Sequence, residues 1–572
     1  MGSYILQDTR SGHKTLLYDN GREIRIHSKY DPLMEAERNA AAFDPGRAGI
    51  IIVCGLGLGY HAAALISRFP ESLVIVIEKD REVIELARSV NAKLLETIRT
   101  VQSPKDLDSI FEELDLTAFT GTAVYHHRPS YTLDREFYDG IIAETGRYIS
   151  SKLSDLLTRF EFEEKWIENI FSNIKALYTS APVKSLFGKF KGYPGIIVSA
   201  GPSLKNNVEI LHVAKDRALI VCVDTALKIL LHHKIHPHIV MTLDAQKHSI
   251  KHFLGIPETN SVLLADMVSF PSILRTYRGR TMVSTTAKYY SGRDGIMKRE
   301  ATPAINWIES YAEPVGDIQS GGSVATNVFD LLLNLECSSI ILVGQDLAYT
   351  GREIHCSGTH HNESWIPGIN RFTTLDSINQ GVIRKRKIKH VEAFGGAGTV
   401  ISDYVFDLYR GWFEDSAQKV SLDVINATEG GARIRNTIEM TLAMAIREMP
   451  ARHSTPEQVI NRALEGTQSP APEKLLHNIQ AAIAELQELR QLAEQENRNS
   501  PSSITAEVQA RLTSFTMREL LSPFLKRTFV YLARKHDTPP EKATSMVYRD
   551  IVSASEKVIR ILEKAEHLLS TP

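Results

Sequence analysis

The residues best placed to do chemistry lie in Gly195-Ile-Ile-Val-Ser-Ala-Gly-Pro-Ser-Leu204 and in the acidic strand ends that follow it. An apolar run that breaks at small residues reads as a buried strand entering a tight turn. A helix pattern resumes over residues 205–213. Strand, glycine turn and helix, in that order, set backbone N–H groups against a phosphate. Gly201, Pro202, Ser203 and Leu204 are therefore candidate nucleotide-binding residues. Two more apolar runs, 219–223 and 239–243, end at Asp224 and Asp244, with Thr225 and Gln246 beside them. In an open parallel sheet such ends share one edge, where ligands bind. The plainer reading of each feature alone is a turn or an N-cap.

A second group follows the same logic. Gly321, Gly322 and Ser323 open a helix pattern, which suits either an anion or an ordinary N-cap by Ser323. The buried run 339–343 ends in Gly344-Gln-Asp-Leu-Ala-Tyr-Thr350, which brings Gln345 and Asp346 to a strand end. A polar loop with His355, His360, His361 and Trp365 comes next, and Ala427-Thr-Glu-Gly-Gly-Ala432 adds Glu429 in a small-residue turn. His355, which follows that strand end by only a loop, could act as a proton-accepting base. His232 and His236 have the helical spacing of zinc ligands, but Pro237 intervenes and no cysteine is near, so no metal ligands are assigned.

These residues need elements to hold them. Residues 1–45 read as a small β-rich lead-in with a helix over 32–43. A buried strand over 49–54 then enters Gly55-Leu-Gly-Leu-Gly59, and a second strand over 73–77 closes at Glu78 and Asp80. That pattern holds an adenosine or dinucleotide in Rossmann-like domains and resembles the first motif of S-adenosylmethionine-dependent methyltransferases, although the glycine spacing departs from Gly-x-Gly-x-x-Gly. The alternative is a scaffold kept for packing or partner binding. A charged helical stretch over 132–177 connects to the central strands, which also include 262–265, ending at Asp266, and 281–284. From residue 439 the chain is helical; Leu476, Ile479, Ile483, Leu486 and Leu489 form an apolar stripe after a Pro- and Ser-containing break at 466–472. The expected fold class is α/β: a Rossmann-like domain over 1–130, a helical connector over 131–190, a central Rossmann-type α/β domain over 191–440 and a C-terminal helical domain over 441–572.

Composition narrows the functional class. With 66 Lys and Arg against 68 Asp and Glu in 572 residues, there is no global electrostatic case for nucleic acid. No apolar run approaches the roughly 20 residues that span a bilayer, and the mixed N-terminus does not read as a signal peptide. Cys54, Cys222, Cys337 and Cys356 are far apart and form no Cys-x-x-Cys, as expected of reduced core thiols. A cytoplasmic protein is expected.

Taken together and in order, Gly-Pro-Ser-Leu204, Val223-Asp-Thr225, Leu243-Asp-Ala-Gln246, Gly-Gly-Ser-Val324, Val343-Gly-Gln-Asp-Leu-Ala-Tyr-Thr350 and Asn426-Ala-Thr-Glu-Gly-Gly431 resemble the motility-associated factor (Maf) family of bacterial proteins linked to flagellin glycosylation. The resemblance is close over about residues 165–440 and looser in the flanks. It implies transfer of a nonulosonic acid, pseudaminic or legionaminic, from its CMP-activated form to Ser or Thr of flagellin. It also implies a sialyltransferase-like central domain in which the turn at Gly201–Leu204 lies beside CMP. By the same resemblance, Gly321–Ser323 helps hold the nucleotide, Asp224 and Asp244 contact sugar hydroxyls or organise the loop, Asp346 or His355 takes the acceptor's proton as the base, and Glu429 is a further carboxylate candidate. Inversion follows if the acceptor attacks from the opposite face. The domain family includes 6-hydroxymethylpterin pyrophosphokinases, a Mg²⁺-dependent alternative, and a non-catalytic flagellin-binding assembly factor is a third reading.

Overall fold

A computed structural model describes residues 2–103, 106, 110, 121–291, 296–450, 452–465, 472–499, 503–534 and 538–571. The expected break at 466–472 falls almost wholly outside the described residues. The chain divides into two compact units, 1–157 with 290–298, and 158–289 with 299–572.

In the first unit, β1 (Ser3–Asp8), β2 (Lys14–Asp19) and β3 (Glu23–Arg25) form an antiparallel meander, followed by a helix at Pro32–Ala41. β4 (Ile50–Cys54), β5 (Leu73–Ile77), β6 (Arg99–Val101) and β7 (Thr122–His126) form a parallel sheet in the order β6-β5-β4-β7. Every residue of β4 is buried, as a strand covered on both faces requires. The helix Arg135–Ser172 has residues in both units.

The second unit is built on one large sheet. Its strands are β8 (Ala181–Pro182), β9 (Pro194–Val198), β10 (Leu219–Val223), β11 (Ile239–Thr242), β12 (Val262–Asp266), β13 (Thr281–Ser291), β14 (Met297–Ala301), β15 (Asp317–Ile318), β16 (Ser339–Val343), β19 (Asp423–Asn426) and β20 (Ile438–Glu439). A separate hairpin, β17 (Ile388–Glu392) and β18 (Thr399–Asp403), lies in the segment between β16 and β19. The main path is β14-β13-β12-β11-β10-β9-β16-β19-β20, and the ladders from β13 to β20 are parallel. From β9 the chain adds strands first on one side, through β10, and later on the other, through β16. The gap between the ends of β9 and β16 is therefore a topological switch point, where doubly wound sheets bind ligands.

The C-terminal helices belong to this unit. Glu473–Arg498 packs against Pro540–Ser570, with Leu475, Ile479, Ile483, Leu486 and Leu489 buried opposite Tyr548, Ile551, Val558 and Leu562. The expected stripe shifts at its start, because Leu475, four residues before Ile479, is the buried position and Leu476 is only half-buried. The same core takes in Ile167, Ile170, Phe171 and Trp307.

Candidate active site

Three segments far apart in sequence meet at the switch point. Gly201 N–H donates to the Gly344 carbonyl at 2.8 Å, which ties the turn after β9 to the end of β16. A Cβ on Gly201 would lie 2.1 Å from Asp346 Oδ1, so only glycine allows this approach. Ser203 donates its hydroxyl to Asp346 Oδ1 at 2.6 Å, and Thr350 donates to Oδ2 at 2.6 Å. The third segment arrives through Ala432 N–H, which donates to the Asp346 carbonyl at 2.7 Å. Gly431, at φ +75°, lets that backbone pass Asp346. Ser199 donates to Gln345 Oε1 at 2.6 Å, and Gln345 N–H to Thr428 Oγ1 at 3.2 Å.

This geometry separates the three base candidates. Asp346 is 2% exposed; burial raises its pKa, against the hydrogen bonds from Ser203 and Thr350. Its oxygens are spent on holding the turn. Glu429, at φ +57°, accepts from Leu442 N–H at 2.9 Å and from Asn207 Nδ2 at 3.3 Å, so it anchors the chain near the helix Leu442–Arg447. His355 is half-buried, and Cys356 beside it donates its N–H to the Ala200 carbonyl at 2.9 Å. Burial and the neighbouring His361 and His252 bring His355 down to about 4, against a hydrogen bond at Ala200. It is a neutral imidazole close to the turn.

The acids of β10 and β11 differ in environment. Asp224 is buried, accepting from Thr225 N–H at 2.7 Å and from Thr242 Oγ1 at 2.8 Å, and burial raises its pKa. Asp244 is more open, accepting from Gln246 N–H at 2.8 Å and pairing with His248 at 3.2 Å. Asp266, 1% exposed at the end of β12, is pushed by burial to about 6. At Gly321–Ser323 the helix Val324–Asn334 begins with a capping box: Ser323 and Thr326 bond reciprocally, and Gly321 N–H donates to Thr326 Oγ1 at 2.9 Å. Ser323 is therefore the N-cap of that helix. The helix expected over 205–213 is broken into Leu204–Asn207, a 3-10 turn and Leu211–Ala214.

Sequence reasoning named His361 only as part of a polar loop and missed His252, Asn169 and Asn173 at this edge. His252 and His361 join His355 in one cluster; the His355 and His361 rings stack at 4.8 Å, and His252 is 5.5 Å from His361. Asn169 Nδ2 donates to the Ala245 and Val268 carbonyls, and Asn173 Nδ2 to those of Met267 and Ser269, at 2.8–3.0 Å. One helical turn thus joins the loops after β11 and β12. The signal available was two asparagines spaced i, i+4 on an otherwise apolar helix face.

In the first unit the glycine turn is satisfied from within. Leu56 N–H donates to Glu78 at 3.1 Å, and Leu58 N–H to His27 Nε2 at 2.7 Å. Glu78, the expected ribose acid, is 4% exposed and raised by burial to about 7. His27, His61 and His127 are buried with ring nitrogens within 4.8 Å, the set able to hold a metal among the described residues. The Leu58 bond occupies the one lone pair of neutral His27, so this set is not arranged as three ligands. The loop histidines 232–238 are bonded elsewhere: His233 to Glu209 at 2.6 Å, His236 to Thr259 at 3.0 Å, and His238 accepts from Ile220 N–H at 2.9 Å.

The second unit is thus a doubly wound α/β domain with polar side chains gathered at its switch point, joined to a helical tail. The comparisons agree with that fold. Residues 168–352 match the family model described as 6-hydroxymethylpterin diphosphokinase MptE-like. The solved MAf glycosyltransferase of Magnetospirillum magneticum AMB-1 has the same fold along the whole chain: the match covers 100% of this protein and 93% of that one, with a TM-score of 0.53 at 15% identity. A search of curated proteins finds no match. The Maf resemblance in the motifs and the α/β architecture are thus met by the fold. No helix among the described residues is long and apolar enough to cross a membrane.

Proposed function

We propose that the protein is a glycosyltransferase that moves a nonulosonic acid, pseudaminic or legionaminic, from a CMP-linked donor to Ser or Thr of flagellin, in the cytoplasm. The observation that carries this reading is the meeting of the Gly201–Leu204 turn, Gln345–Asp346 and Gly430–Ala432 at one switch point, in a chain with the whole fold of a MAf glycosyltransferase. Gly201, Pro202, Ser203 and Leu204 form the donor-phosphate turn, with Asp346 holding it in shape and Gln345 bracing it. Asp224, Thr225, Asp244 and Gln246 border the sugar end. Gly321–Ser323 serves as a rigid wall. His355 is the proton acceptor from the attacking hydroxyl, because the oxygens of Asp346 and Glu429 already accept the hydrogen bonds that hold the turn and the chain beside it. The acceptor attacks opposite the departing CMP, with inversion.

The match to an MptE-like model keeps a second reading open, a Mg²⁺-dependent pyrophosphokinase using the carboxylates at the strand ends. Asp224 and Asp266 are already engaged by threonine hydroxyls, which favours the first reading. Calorimetric titration with CMP and with ATP, with and without Mg²⁺, separates them. CMP binding that disappears in Ser203→Ala supports the glycosyltransferase. Mg²⁺-dependent ATP binding alone supports the kinase, and heat from neither supports a non-catalytic flagellin-binding factor.

A further inference from the structure

We infer that His361 is a positioning residue that holds the ring of His355 in place, and in its neutral form, by stacking against it. Its catalytic meaning rests on the glycosyl-transfer reading above; its geometry does not. The two rings lie 4.8 Å apart at 22°. His252, 6% exposed, is 5.5 Å from His361, so the stack is backed by a second buried imidazole. Stacked imidazoles keep their N–H groups in the ring planes, so the contact leaves the ring nitrogen of His355 that is not bonded at Ala200 able to face a substrate hydroxyl.

The charges around the stack are mostly paired off. Lys205 pairs with Glu353 and Lys228 with Glu363, both at 3.2 Å, and His248 pairs with Asp244. Asp224 acts on His361 from the helix Asp224–His232, and His360 lies 6.3 Å from it. Lys251 adds positive charge on the His360 side. Two imidazolium ions cannot stack without like-charge repulsion, so a proton on one ring disfavours a second proton on the other. Burial acts the same way and brings both His355 and His361 to about 4.

In the transfer step the acceptor oxygen bonds to the anomeric carbon. The bond from that carbon to the phosphate oxygen breaks, and its electron pair leaves with CMP. The hydroxyl proton passes to the free nitrogen of His355. A donor phosphate in the crevice adds negative charge and raises the proton affinity of the ring at the moment it is needed. His361 contributes orientation: a ring without its stacking partner swings away from the line of attack, and a displacement of about 1 Å costs on the order of a hundredfold in rate.

The test uses the full chain labelled at histidine, with the His355 signal identified by its loss in His355→Asn. His355 is expected to stay neutral well below pH 6 in the wild type. In His361→Phe, which keeps a ring but cannot take up a proton, its midpoint should move up by a small part of the way only, because burial, the larger cause, and His252 remain. The acid limb of kcat/KM for transfer from the CMP-linked donor should move with it. His361→Ala should lower kcat by about tenfold to a hundredfold while KM for the donor holds. A wild-type His355 titrating near 6.5, a midpoint unmoved in His361→Phe, or activity reversibly abolished by a chelator would overturn the inference. A chain that binds no CMP and transfers no sugar overturns the functional reading instead, and the ring titration still decides the role of His361.

Discussion

Ser203 and Asp346 are 143 residues apart in sequence, and the Ser203 hydroxyl donates to Asp346 Oδ1 at 2.6 Å with both residues almost fully buried. This bond joins the turn of one strand to the end of its neighbour, and the shape of the crevice depends on it. Asp346→Ala would leave the buried hydroxyls and N–H that it now accepts without a partner. A loss of about 2–4 kcal/mol is expected in chemical denaturation of the second unit. Asp346→Asn, which keeps the size and one carbonyl oxygen, should lose less.

Gly431→Ala offers a sharper test of the third wall. Its Cβ would stand 2.4 Å from Asp346 Cα at a φ of +75°. Strain and overlap together should cost more than about 3 kcal/mol and, on the proposed glycosyltransferase reading, abolish CMP binding. Gly411, inside the helix Tyr404–Lys419 with open space around it, is the control. Gly411→Ala should gain about 0.5–1 kcal/mol and leave binding alone, as thermal melts would record.

Asn169→Ala should act at a distance. It strips the buried Ala245 and Val268 carbonyls of their shared donor, at a cost of about 1–3 kcal/mol. Because Ala245 follows Asp244, the loop carrying that acid should exchange its amide hydrogens faster in the variant, and Asn173→Ala should loosen the loop after β12 instead.

The first unit should weaken in acid. His27, His61 and His127 are neutral because burial depresses their pKa below 6.5, His61 to about 4. Between 6.5 and about 4 the unfolded chain binds protons that the folded one refuses, so each histidine costs about 1.4 kcal/mol per pH unit as pH falls. Glu78 works the other way. Its pKa is raised from 4.5 to about 7, so its contribution is present below 4.5 and is lost as pH rises through 7. Three histidines outweigh one glutamate. Hydrogen exchange at β4 amides should therefore reflect less stability at pH 5 than at pH 7, and His61→Phe should flatten the dependence.

The strands of the central sheet were legible because each is a short apolar run ended by a small residue or an acid. Residues 219–223 and 339–343 fall where the pattern put them. The helix after Ser203 was less legible: its residues are ordinary helix formers, and the break comes from tertiary contacts such as Asn207 Nδ2 with the Ala427 carbonyl at 3.0 Å. The meeting of Asp346 with Ser203 and Gly431 could be expected only once strand order was known, since periodicity says which face a residue occupies and not which strand lies beside it. The histidine cluster was illegible for the same reason: His252 and His361 come from different crossovers. The glycine turn at 55–59 was visible as a motif, yet the fate of its N–H groups depended on His27 and Glu78, partners no local pattern supplies.

The walls of the crevice also bear on how portable it is. The segment matched by the MptE-like model stops at residue 352, while Ala432 supplies the bond that closes the far side of Asp346. Grafted or expressed alone, that segment would carry the turn and its anchor but not their cover, leaving Asp346 open to water and the turn free to wander. The closed turn is thus a property of the chain through residue 432, six residues beyond the last residue of β19, and a cut between the two keeps the strand but loses the bond.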